Sequence, residues 1–135
     1  MRLKNAVAAL LLGAGAAVLP ASANALERVD YTTAGYEAAI AANRPVLIGV
    51  WADWCGICQT QIGVIEALAN DPRFADLLVI EVSFDTQRHI MIRMNVSFRS
   101  TIIGVRDGHE IGRLNATTDP AVIEAFMASV VGPQM

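Results

Sequence analysis

The feature that most constrains how this chain can fold is the stretch Trp51-Ala52-Asp53-Trp54-Cys55-Gly56-Ile57-Cys58, because the hydrophobic period changes across it. Before it runs Val46-Leu47-Ile48-Gly49-Val50, apolar and largely β-branched, as expected of a central strand buried on both faces. After it, from Gln59 to Ala69, Ile62, Ile65, Leu68 and Ala69 recur at helical spacing. The strand-to-helix turn between the two runs carries the chain's two cysteines as Cys-x-x-Cys. Two thiols at that spacing can close a small disulfide. Cys55, placed at the helix start, meets unpaired backbone N–H groups and the positive end of the helix dipole. Both favour thiolate over thiol, and thiolate is the reactive form. Cys-x-x-Cys beside a βαβ pattern therefore reads as a redox motif. The tryptophans beside it add apolar surface suited to docking another chain. Half a zinc site has the same spacing, but there is no second cysteine pair, and His89 and His109 lie far away in sequence.

The remaining periodicities organise one domain. A short edge strand is expected at Val29-Asp30-Tyr31, followed by a helix capped by Thr32 or Thr33 and ended at Asn43 and Pro45. Asn70-Asp71-Pro72 breaks the helix that follows the cysteines. A second buried strand is expected over Leu77 to Phe84, then a helix from a cap at Asp85 or Thr86 to about Met94. Thr101 to Val105 and Glu110 to Leu114 read as a hairpin about Asp107-Gly108, a strong turn signal. Asp119-Pro120 opens a last helix with Val122, Ile123, Phe126 and Val130 facing inward. The order β-α-β-α-β-α-β-β-α implies an α/β domain with parallel crossovers and a terminal hairpin. Met91 and Met94, three apart, are expected to fill the core rather than join His89 in a copper site.

The first residues carry a different signal. Met1 to Asn5 is short and basic, Ala6 to Leu19 is apolar and uncharged, and Pro20 to Ala25 offers small residues at A-x-A spacing twice. That succession reads as a secretory signal peptide over residues 1–25, cleaved after Ala23 or Ala25. Its apolar run is shorter than the roughly 20 residues of a spanning helix. Export implies an oxidising compartment in which disulfides persist, most simply a bacterial periplasm. Removing Arg2 and Lys4 leaves eight basic residues, all arginine, against thirteen acidic ones. A chain so charged, with no basic run, is not expected to bind nucleic acid or, once the signal is cleaved, a membrane surface. The residues from 26 to 135 suffice for a single domain. With one cysteine pair, its fold must rest on an ordinary core.

Trp51 to Cys58 resembles the active-site signature of the thioredoxin family, W-A-x-W-C-G-P-C, departing only at Ile57, where the family has proline. The resemblance extends over the mature chain and implies the thioredoxin fold, a central mixed sheet flanked by helices. Gly63 stands where a proline commonly bends the corresponding helix. Three further departures bear on mechanism. The family's buried acid, which helps deprotonate the second cysteine, corresponds to Gly49, and the lysine on the neighbouring strand corresponds to Glu81. The resemblance thus implies a carboxylate transposed between strands, which makes Glu81 a candidate proton acceptor if it comes within hydrogen-bond reach. Opposite the cysteines the family has cis-proline then threonine, whereas Ser100 stands here before Thr101, as in a set of exported bacterial thioredoxin-like proteins. A cis bond before a non-proline residue costs about 2.5–4 kcal/mol, so Arg99–Ser100 is expected to be trans.

The reading that follows is an exported, monomeric thiol–disulfide oxidoreductase needing no organic cofactor or metal. Cys55 is the exposed attacking nucleophile and Cys58 the more buried resolving thiol. Protein thiols or disulfides are the substrates, and a redox partner protein completes the cycle. Trp54, Gly56, Ile57, Ser100 and Thr101 form the docking rim, with the strand edge at Thr101 open to a substrate segment. A binding module with a permanent disulfide, or a metal-handling protein using the cysteine pair with a partner's ligands, are the alternatives.

Overall fold

A computed structural model describes residues 25–133; the expected signal peptide falls outside these apart from Ala25. The elements are β1 (Glu27–Asp30), α1 (Thr33–Ala41), β2 (Val46–Trp51), α2 (Gly56–Ala67), β3 (Leu78–Ser83), α3 (Arg88–Arg93), β4 (Thr101–Arg106), β5 (His109–Asn115) and α4 (Pro120–Val131), with a single 3₁₀ turn at Pro72–Phe74. The expected order holds. The strands form one sheet in the order β1-β3-β2-β4-β5. β3 runs parallel to both β1 and β2, while β4 is antiparallel to β2 and β5. The mixed sheet is that of a thioredoxin fold.

Strand alternation splits the core into two layers. Leu47 and Trp51 of β2 pack with both cysteines, Ile65, Ile123, Met127 and Val130 on the α2/α4 side. Val46, Ile48 and Val50 pack with Ala39, Ile90, Met91 and Val96 on the α1/α3 side. Met91 is buried and Met94 packs against this second layer, while His89 is exposed. The methionines are therefore core residues.

Local chemistry sets the element ends. Thr32 accepts from the Gly35 N–H (3.0 Å) and Asp119 from the Ala121 N–H (2.9 Å), each capping its helix. Asp107 and Gly108 both adopt positive φ, 53° and 75°, the turn that matches strand twist in a two-residue hairpin. α3 is shorter than the sequence suggests. Asp85 turns its carboxylate to the Trp54 indole rather than to a helix start, and Gln87, at the N-cap, makes no capping bond. α4 turns Ile123 and Val130 inward and packs Phe126 against the core, as expected, but it buries Met127, which the sequence reading left out, and leaves Val122 exposed.

Candidate active site

β2 ends at Trp51 and the chain turns into α2, which delivers Cys55 as the helix N-cap and Cys58 one turn later. The two are joined as a disulfide with a Cα–Cα separation of 5.2 Å. Cys55 Sγ does the work of a capping oxygen, accepting from the Cys58 N–H at 3.2 Å. A backbone donor already aimed at this sulfur, together with the dipole of a twelve-residue helix, favours negative charge there. Cys55 is only 4 % exposed and Cys58 is fully buried, so the expected exposure of the first cysteine is a correction. Trp51 and Ala52 lie in the same buried cluster and the Ser100 hydroxyl faces its sulfur, so that solvent meets chiefly the surrounding surface.

That surface is the rim Trp54, Ile57, Phe98 and Arg99. Trp54 is 60 % exposed yet held on three sides. Its Nε1 donates to Asp85 at 3.0 Å, its ring meets Phe84 edge-on, and the Arg99 guanidinium lies 4.7 Å above it. Gly56 and Ile57 are exposed beside it. Trp51, by contrast, is buried and offers no docking surface. Ser100 and Thr101 are also buried. Thr101 stands in register with Val50 on one side and Asn115 on the other, so the open strand edge expected at Thr101 does not exist.

Ser100 departs most from expectation. The described residues contain no cis peptide bond, so Arg99–Ser100 is trans. Ser100 has φ of 61°, a left-handed conformation uncommon outside glycine. Its N–H is taken by the Val50 carbonyl at 2.8 Å. Its hydroxyl lies 3.2 Å from Cys55 Sγ and 3.3 Å from Cys58 Sγ. Disulfide sulfurs carry no proton, so the hydroxyl is the donor, shared between both.

Gly49 and Glu81 are aligned across β2 and β3. A Cβ on Gly49 would stand 2.3 Å from the Trp51 indole, which fills the space that a carboxylate side chain would need. Glu81 points to the α2 side and is ion-paired with Arg28, which also pairs with Glu66. It lines a cavity of about 590 Å³ with Trp51, Ile62 and Gly63. Among the described hydrogen bonds none joins Glu81 to either sulfur; the side chain beside both is Ser100. Among the described residues no group of three His, Cys, Asp or Glu side chains could hold a metal ion, and no helix is long and apolar enough to cross a membrane.

Gln61 escaped the sequence reading. It is fully buried on the same stripe of α2 as Cys58 and Ile65. Its Oε1 accepts from Trp51 Nε1 at 3.0 Å, and its Nε2 donates to the Ser100 and Thr117 carbonyls, each at 3.0 Å. The available signal was its place, three residues after Cys58 and four before Ile65, where a polar residue interrupts an inward stripe.

A disulfide at the start of the helix that follows the central strand of a mixed five-stranded sheet defines a thiol–disulfide oxidoreductase of thioredoxin type. Comparison with known proteins agrees. The Thioredoxin family model matches residues 27–129. A thioredoxin of Mycobacterium tuberculosis is 30% identical over 92 residues, 68% of this chain and 78% of that protein. A bifunctional thioredoxin reductase/thioredoxin of Mycobacterium leprae is 28% identical over 109 residues, covering 80% of this chain and 24% of that longer protein. The crystal structure of Trxlp from Edwardsiella tarda superposes with a TM-score of 0.73 at 36% identity, over 75% of this chain and 98% of that one. The chain belongs to the thioredoxin family, and it is a thiol–disulfide oxidoreductase.

Proposed function

We propose that the protein is exported to the periplasm and exchanges its Cys55–Cys58 disulfide with the thiols of partner proteins. The observation that carries this reading is the cysteine pair itself. It sits at a helix start, bonded by a backbone N–H at Cys55 and faced by the Ser100 hydroxyl. A substrate thiolate that reaches Cys55 Sγ forms a mixed disulfide and expels Cys58 as a thiolate. In the opposite direction Cys55 thiolate attacks a substrate disulfide, and Cys58, deprotonated, attacks Cys55 Sγ and releases the substrate as a thiol. Glu81 takes that proton by way of water in the cavity it lines; Glu81→Gln then slows release and spares the first attack. Substrates dock against Trp54, Gly56 and Ile57, flanked by Phe98 and Arg99. A redox partner protein restores the starting state, a role for which the fused reductase of the Mycobacterium leprae relative is a precedent in kind.

Export is supported by the basic, apolar and A-x-A succession of residues 1–25. Leu26, the residue after the expected signal, is buried and its N–H donates to the Ala69 carbonyl at 2.7 Å. The mature protein is expected to start at Asn24 or Leu26, to act as a monomer and to use no metal or organic cofactor. The deciding measurement is the reduction potential of the pair in a glutathione or dithiothreitol buffer. A working couple lies above about −300 mV, and a permanent structural bridge lies below it. Trapping follows: Cys58→Ser accumulates mixed disulfides in an envelope extract and Cys55→Ser does not. Faster alkylation of Cys58 than of Cys55 in the reduced protein would reverse the two roles.

A further inference from the structure

The site lacks the family's buried acid and its loop proline, and the groups found in their place are physically connected. Trp51 fills the space beside Gly49. Gln61 bonds the Trp51 indole, and through its other end it bonds the loops before β4 and after β5. Each loop contains a non-glycine residue in the left-handed region, Ser100 with φ 61° and Ala116 with φ 53°. Such a conformation is strained for any residue but glycine and persists only where its surroundings hold it. Here the surroundings are explicit. The Ser100 N–H donates to Val50, and its carbonyl accepts from both the Ala116 N–H (2.9 Å) and Gln61 Nε2 (3.0 Å). Rotating Ser100 out of the left-handed region breaks all three bonds in a site that is 3 % exposed.

We infer that Gln61 is a positioning residue for the thiol–disulfide reaction: it clamps the Ser100 and Thr117 loops so that the Ser100 hydroxyl reaches both sulfurs. Its effect is exerted on the reduced state. When a substrate thiolate attacks Cys55 Sγ, the Cys55–Cys58 bond breaks and its electron pair goes to Cys58 Sγ. The hydroxyl, 3.3 Å away in the disulfide form, donates to that new thiolate. When Cys55 is the free thiolate, the same hydroxyl serves it from 3.2 Å. A hydrogen bond to an ionised sulfur is stronger than one to a disulfide sulfur, so the clamp shifts the couple toward reduction and lowers the pKa of the Cys55 thiol. The inference rests on the exchange reaction proposed above, but its test is a difference between variants rather than an absolute potential.

The experiment is a double-mutant cycle of Gln61→Met and Ser100→Ala, read in a glutathione buffer as the reduced-to-oxidised ratio and by thiolate absorbance as the Cys55 pKa. Methionine keeps the length and removes both ends of the clamp. Each single variant is expected to lower the ratio threefold to tenfold and to raise the Cys55 pKa, and the double variant is expected to match Ser100→Ala alone. Thermal stability is followed in parallel, because Gln61→Met strands the Trp51 N–H and the Thr117 carbonyl and lowers Tm in either background. Should Gln61→Met not fold, Gln61→Glu replaces it, since a carboxylate keeps the indole bond and cannot donate to the two carbonyls. The inference is overturned if the Gln61 variant shifts the ratio equally with and without the Ser100 hydroxyl. It is overturned equally if Tm falls while ratio and pKa stay at the parent's values. If the parent's own potential lies in the structural-disulfide range, the exchange function fails, and the cycle still decides the role of Gln61.

Discussion

Gly49→Ala is the most informative single change outside the cysteines. An alanine Cβ at that position would lie 2.3 Å from Trp51 Cη2 and Cζ2 and 2.5 Å from Cε2, closer than side-chain carbons approach one another. The ring cannot simply swing away, because Trp51 is buried and its Nε1 is bonded to Gln61. Overpacking of this kind costs about 1–3 kcal/mol. Stranding the indole–Gln61 bond adds about 1–3 kcal/mol, while removing a glycine from the unfolded chain returns about 0.4–1 kcal/mol. The net loss is about 1–6 kcal/mol, centred near 3 kcal/mol, a large share of the roughly 5–15 kcal/mol that holds such a domain together. At about 4–8 °C per kcal/mol for a domain near this size, Tm falls by on the order of 10 °C or more. The assay is urea or thermal unfolding of four proteins: parent, Gly49→Ala, Trp51→Phe and the double variant. Phenylalanine lacks the outer indole atoms that make the clash, so Gly49→Ala is expected to cost less than about 1 kcal/mol in that background, a coupling of at least about 1 kcal/mol between neighbours. A cost within about 0.5 kcal/mol of zero in the parent, or equal costs in both backgrounds, would refute the account of how Trp51 displaced the family's acid.

Gly63→Ala is expected to stabilise by about 0.5–1 kcal/mol, since an added Cβ on this mid-helix glycine meets nothing within 4 Å; a loss in urea titration would show that α2 needs glycine there to bend. Met127→Ala is expected to cost about 2–5 kcal/mol and Val122→Ala less than about 0.5 kcal/mol, the opposite of the ranking that the sequence pattern suggested. The hydrogen bonds from Arg113 hold the Glu110 carboxyl below its ordinary value of 4.5, so the pair's contribution is present at neutral pH and lost as pH falls through the lowered value. Glu110→Gln should therefore cost less than about 1 kcal/mol at pH 7, the carboxylate being partly exposed, and the gap to the parent should close in acid rather than in alkali.

The element order was legible because each element has its own punctuation: a threonine before α1, the Asp-Gly turn between β4 and β5, and proline at the start of α4. The cysteine pair and its helix-start position were legible for the same reason. What sequence pattern could not supply is where polar side chains spend their hydrogen bonds. Asp85 reads as a helix cap and instead holds Trp54, and so α3 begins later than expected. Gln61 reads as the polar side of α2 and instead crosses the core to the loops before β4 and after β5, 39 and 56 residues away. Ser100 reads as a lost proline, whereas its placement depends on a φ that no serine prefers in isolation. Local propensity carries the elements; the site is set by contacts between residues distant in sequence.

The sheet order also dictates when the chain can begin to assemble. β1 and β2 are the first two strands made, yet neither pairs with the other. Both wait for β3, which runs between them and is parallel to each, so no ladder can form until residue 83 has become available. In any process that delivers the polypeptide from its N-terminus, about half of this domain must arrive before its first sheet contact closes. Parallel pairings of this sequence separation carry a loop-closure cost that shorter-range contacts do not repay beforehand. β3 is thus the keystone of folding as well as of topology. A chain interrupted before Leu78 exposes the wholly apolar strand β2 without a partner and is a natural substrate for holding factors rather than a partly working enzyme.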